Sequence, residues 1–154
     1  MIQRIQSIYL LIAVILIAVA DFFPIAHCHM GTGFYTISAL GVESSGLADY
    51  GGTSLWCWLA AAMSVVSVIF IMMAIFGYKD RIGQMRNCVF AMIAIIIYYV
   101  FFGIEVYEMY TATNVFPDLG LIAELPLIAI IFIFLAGRAI KRDEDLVRSM
   151  DRIR

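Results

Sequence analysis

Charge is what this chain has least of. Only 14% of its 154 residues are Asp, Glu, Lys or Arg, where soluble domains carry about a quarter. The net charge is −2, so no basic balance points to nucleic acid. Strand-like alternation is also missing, which argues against an outer-membrane barrel. There is no Walker loop, no H-E-x-x-H, no G-x-S-x-G and no dinucleotide fingerprint, so no standard catalytic motif stands out. Internal repeats and low-complexity tracts are absent. Cysteines number three, and only one Cys/His cluster exists.

What fills the chain instead is apolar. Hydrophobic residues make up 64% and the mean hydropathy is +0.96. Four runs are long enough to cross a bilayer, at about 5–25, 55–78, 86–110 and 119–140; a span needs roughly 20 residues. Each must be helical, because lipid offers backbone groups no partner. The expected fold is therefore all-α: a single four-helix transmembrane domain, 1–154, of up-down topology. Residues 26–54 form a long outer loop rich in Gly and Ser, in which GFYTISALGV has the pattern of a short hairpin. Residues 79–87 read as a tight polar turn.

Basic residues set the orientation. Arg4, Lys79, Arg81, Arg86, Arg138, Lys141, Arg142, Arg148, Arg152 and Arg154 all fall on one side if both termini are cytoplasmic. The outer loops then hold no Lys or Arg, as the positive-inside rule requires. The sequence thus predicts a multi-pass membrane protein, N-in/C-in. Ala18-Val19-Ala20 has the form of a signal-peptide cleavage site. The apolar run continues through Phe22, Phe23 and Ile25, so a retained helix is expected.

The last fourteen residues, KRDEDLVRSMDRIR, are mostly charged and end the chain in a cytoplasmic tail, 141–154. No Gly or Pro interrupts them, so the fourth helix should continue. Leu146, Met150 and Ile153 would then share one stripe, a place for a partner membrane protein to dock. The plainer reading is a solvated helix extension that anchors the topology.

Seven acids lie on or near the outer side without a basic residue to pair with: Asp21, Glu43, Asp49, Glu105, Glu108, Asp118 and Glu124. At 1.5 Å per residue, Asp21 stands about 25 Å from Arg4, Glu105 about 28 Å from Arg86 and Glu124 about 21 Å from Arg138. Asp21, Glu105 and Glu124 therefore sit near one level and make a candidate proton or cation site, an outward-facing acidic vestibule. Tyr98 lies on the Glu105 face, two turns below. The plainer reading keeps these acids wet at the interface, with Asp118 and Glu124 suiting a helix start. Pro126, close behind Glu124, is ordinary near such a start.

His27, Cys28 and His29 form a weak metal candidate that would need a fourth ligand from elsewhere. The simpler reading is a pair of interfacial histidines. The alternative is a disulfide between Cys28 and Cys57 on the oxidising side. Cys88, near the inner end of the third span, should stay reduced. Ala60, Ser64, Ser67 and Ala74 make a small-residue stripe suited to close helix contact.

MIQRIQSIYLLIA at the start, FFP closing the first span and IKRDEDLVRSMDRIR at the end resemble the Bacteroidota four-span membrane family catalogued as domain of unknown function 4293. The resemblance covers both ends and the four-span layout. It implies an inner-membrane protein with a periplasmic outer loop and marks the charged ends as a family hallmark. It brings no catalytic residue and no cofactor, and His27-Cys28-His29 is not part of the pattern. Three readings follow: a non-enzymatic accessory or scaffold subunit that engages a membrane-protein partner through the tail or the periplasmic loop, a proton- or cation-coupled carrier or sensor, and a metal or redox membrane enzyme. No cofactor is expected for the first two. The lipid bilayer is the one partner common to all three.

Overall fold

The computed structural model describes residues 3–30, 33–39, 41–45, 54–77 and 80–151. Its four long helices are α1 (Gln3–Phe22), α2 (Leu55–Phe76), α3 (Arg81–Thr113) and α4 (Leu125–Asp151). All four are long and apolar enough to cross a membrane, which marks a multi-pass membrane protein.

The helix ends follow local chemistry. α1 stops at Phe22 because Pro24 pushes the residue before it out of helical geometry. α2 starts where the Ser54 hydroxyl accepts from the Trp56 N–H, and ends at Gly77, whose N–H donates to the Met73 carbonyl. α3 begins at Arg81, so most of the expected polar turn at 79–87 is helix. Those residues are polar because they lie at a helix end near water: Asp80 caps the helix by accepting from the Gly83 N–H. α3 ends at Asn114, which takes the left-handed conformation (φ 55) and donates its N–H to the Tyr110 carbonyl. Asn tolerates that geometry better than most residues. A 3₁₀ turn (Leu121–Glu124) leads into α4. Pro126 then falls in the first helical turn, where its missing N–H costs nothing.

The outer loop holds more than a hairpin. β1 (Ala26–Met30), β2 (Gly33–Ser38), β3 (Gly41–Ser45) and β4 (Asp118–Leu119) form one antiparallel sheet in the order β3-β2-β1-β4. The β2–β3 hairpin is the one legible in GFYTISALGV. It closes with Ser38 opposite Gly41, and Gly41 has φ 148, a conformation L side chains rarely adopt. β4 pairs with β1, Ala26 facing Leu119 and His27 facing Asp118. It comes from the connection after α3, so two loops far apart in sequence share one sheet.

α2 packs along α3 and α1 along α4; α3 also meets α4, and α1 touches α2 over a shorter contact. The bundle core repeats small and branched residues at helical spacing: Leu10, Ala13 and Ile17 on α1, and Ala129, Ile133, Ala136 and Ile140 on α4. Ala60, Ser64, Ser67 and Ala74, the small stripe of α2, are all buried. In lipid, apolar burial does not drive helices together, and close backbone approach must do so. Outward faces are apolar as well: Ile8, Leu11 and Ile15 on α1, and Ile131 and Phe134 on α4, are exposed. A second core lies under the sheet, where Ile25, Ala26, Cys28 and Ile37 meet Cys57, Phe102 and Met109. The sheet therefore roofs one end of the bundle.

Candidate functional site

The buried polar side chains are few, and their partners can be named one by one. Ser67 donates to the Ala91 carbonyl at 3.2 Å and Gln84 to the Ala74 carbonyl at 2.6 Å. Both tie α2 to α3. Gln6 donates to the Asp143 carboxylate, joining the start of α1 to the far part of α4. Arg81 donates to the Asp143 carbonyl at 3.1 Å and reaches Glu144 at 3.8 Å. These contacts clasp one end of the bundle. The ion pair adds little, being partly solvated.

The other end holds the acids. Glu105, on α3, is 1% exposed. The Ser54 hydroxyl donates to its Oε2, and the Cys57 thiol lies within hydrogen-bonding reach of it. One hydroxyl thus accepts from the α2 backbone and donates to Glu105. Asp21, in the last turn of α1, faces Ser64 of α2, whose Oγ lies 2.8 Å from Asp21 Oδ2. The same Oγ lies 2.8 Å from the Ala61 carbonyl. A hydroxyl has one proton, so it serves one of these acceptors at a time. Asp21 Oδ1 is buried and, among the described residues, has no hydrogen-bond partner.

Tyr98 links the two carboxyl sites. It is 2% exposed, lies within electrostatic reach of Asp21 and Cys57, and stacks on Phe102 with ring centroids 6.2 Å apart. Together with Ile25, Ile37, Cys57 and Glu105 it lines a small cavity of about 10 Å³, which is about the space one water needs. At the rim, Trp56 donates its indole N–H to Glu108 at 2.7 Å.

The acids of the expected vestibule are divided: Glu105 lines the small cavity under the sheet, while the half-buried Asp21 meets Ser64 outside its lining. Counting along each helix put Asp21, Glu105 and Glu124 at one level. The structure brings Asp21 and Glu105 inward and leaves Glu124 exposed, because the 3₁₀ turn sets the direction in which α4 begins. Glu124 lies instead on the side of Tyr99, whose hydroxyl donates to the Ala123 carbonyl at 2.7 Å. Ser54, Cys57 and Ser64 were not expected here. The available signal was a serine or cysteine in a membrane helix at the depth of an unpaired acid.

The His27-Cys28-His29 candidate is divided by the pleat of β1. His27 is exposed and Cys28 buried, since neighbouring strand residues point to opposite faces. The side chain of His29 lies outside the described residues. His27 Nδ1 stands 3.5 Å from Thr36 Oγ1, and no three His, Cys, Asp or Glu side chains converge among the described residues. Cys28, Cys57 and Cys88 are all free thiols. Burial pushes the Cys28 thiol above its ordinary range, and the charge of Asp118 adds to this. In the tail, α4 runs on to Asp151 and Leu146 is half exposed. The Met150 side chain and all of Ile153 lie outside the described residues.

Residues 2–153 match the family described as domain of unknown function (DUF4293). That stretch takes in every helix and strand above, so the chain belongs to this family, the one its two ends resemble. No curated protein matches the chain.

Proposed function

We propose that this member of the DUF4293 family is a proton-responsive sensor or carrier of the bacterial inner membrane, with Asp21 and Glu105 as its proton-binding groups. The observation that carries this reading is the buried Glu105 carboxyl and the buried Oδ1 of the half-buried Asp21, with no basic side chain paired to either among the described residues. An ionised carboxylate shut away from water needs a proton or a cation to neutralise it. A calcium ion takes six to eight oxygen ligands and zinc about four ligands, and no three His, Cys, Asp or Glu side chains converge among the described residues, which favours the proton.

The orientation belongs to the same proposal: up-down topology, both termini and the tail cytoplasmic, the sheet periplasmic. It is supported by the distribution of charge. Arg81, Arg138, Lys141 and Arg142 gather near the Gln6–Asp143 clasp, while the unpaired acids gather beneath or beside the sheet. The pocket would then open to periplasmic protons through movement of the sheet.

Two hydrogen-bond states follow from Ser64. With Asp21 protonated, its O–H donates to Ser64 Oγ, and Ser64 donates to the Ala61 carbonyl. With Asp21 ionised, Ser64 turns its proton from Ala61 to Asp21. The groups facing the two carboxyls from neighbouring elements are Ser54, Cys57 and Ser64 on the α2 side and Tyr98 on α3. None of them is cationic. The test is infrared spectroscopy of the full chain in liposomes, titrated between about pH 4 and 9. A titrating carboxylic C=O band is expected, lost or weakened in Asp21→Asn. A band that Asp21→Asn leaves unchanged would sink the proposal.

A second reading, an accessory or scaffold subunit, is favoured by one observation: α4 carries the half-exposed Leu146 near the end of its apolar run, where the charged residues begin. Leu146→Asp together with Met150→Asp should then release co-purifying membrane proteins. Unchanged associations would remove this reading.

A further inference from the structure

A groove of about 430 Å³ runs between α3 and α4 at the basic end of the molecule. Its wall is apolar and includes Cys88, Met92, Ile133 and Gly137; its mouth is formed by Arg138 and Lys141. Three properties set it apart from an ordinary lipid-facing seam.

First, the lining contains two cations and no carboxylate. Arg138 and Lys141 are three apart on α4, so they share a face. Both are exposed, and neither has an acidic partner among the described residues. Of the acids that follow on α4, Asp143 accepts from Gln6 and Glu144 faces Arg81, while Asp145 is exposed and outside the groove lining. Second, Gly137 keeps the floor low. A Cβ built there would meet Cys88 Cβ at 3.8 Å, an ordinary contact, so larger side chains would occupy the groove. Third, the depth is right. Arg138 stands about 20 Å along α4 from Leu125, beyond the 3₁₀ turn, in a hydrocarbon layer about 30 Å thick. Near the hydrocarbon edge the available anion is a phospholipid phosphate, and a basic pocket between membrane helices suits such headgroups.

We propose that this groove binds one anionic phospholipid, its phosphate held between Arg138 and Lys141 and one acyl chain laid along Cys88, Met92 and Ile133. The flexible thioether of Met92 adapts to an irregular chain. The neighbouring groove between α1 and α4 shares Arg138, but Asp143 lines it, and that carboxylate disfavours a phosphate there.

The test uses the full-length protein in mild detergent, with phosphatidylglycerol, phosphatidylcholine and inorganic phosphate as probes. Native mass spectrometry reads bound lipid, and thermal unfolding reads protection. One phosphatidylglycerol per chain should be retained, with phosphatidylcholine retained much less and inorganic phosphate giving no protection. Arg138→Gln and Lys141→Gln should each weaken retention about fivefold, the worth of one basic residue at an anionic surface. Gly137→Leu keeps both charges and should still abolish retention by filling the groove. Arg142→Gln, outside this groove, should leave it unchanged. Equal retention of the two lipids, protection by phosphate alone, or wild-type retention in Gly137→Leu would each overturn the proposal. If Gly137→Leu fails to fold, Arg138→Gln and Lys141→Gln decide the matter alone.

Discussion

At the scale of single residues, the hydrogen bond between Ser64 and Asp21 carries the most weight. Asp21 Oδ1 already lacks a partner, so Ser64→Ala would leave both oxygens without one. Stranding a buried polar group costs about 1–3 kcal/mol, whereas measured helix–helix hydrogen bonds in membranes average about 0.6 kcal/mol. The expected loss for Ser64→Ala is about 1 kcal/mol, read by reversible unfolding in mixed micelles. In an Asp21→Ala background the same substitution should cost almost nothing, because both ends of the bond are then gone. Equal costs in the two backgrounds would show that Ser64 acts through packing alone. Counting residues along each helix gave Asp21, Glu105 and Glu124 an expected level in the sequence. The direction each acid faces was not legible there. Direction depends on helix phase and on which neighbours pack, so Glu124 turned outward while Ser64, read as a packing residue, became the partner of Asp21.

At the scale of elements, the four helices were legible because length and apolar content suffice to identify them. Their ends were not, because ends are set by short-range caps that hydropathy does not register. Asp80 capping α3 and Pro24 closing off α1 are such cases. Asn114 is another: its left-handed backbone stops α3 three residues before Pro117. Asn114→Val should destabilise the protein by about 1–2 kcal/mol, the cost of forcing a residue with a bulky Cβ into that geometry. Asn114→Gly should be neutral or slightly stabilising. Thermal unfolding of the two variants in detergent checks this, and similar losses in both would remove the backbone explanation.

At the scale of the whole molecule, the features hardest to foresee join distant segments. Gln6 and Asp143 are 137 positions apart, and no local pattern announces such a contact. The sheet is the same kind of feature. Its hairpin was legible from adjacent residues, but β4 enters from the far side of two membrane helices. This has a consequence for the order in which the protein is made. When the ribosome has finished β3, β1 still has one bare edge. Its last neighbour, Asp118–Leu119, follows roughly seventy residues later, about 4–15 s at ordinary rates of synthesis. Until then the roof over Glu105 is incomplete, and β1 waits with open backbone groups while two further helices enter the membrane. A nascent chain halted before Asp118 would hold a three-stranded sheet with β1 unguarded, so the small pocket is among the last parts of this protein to exist.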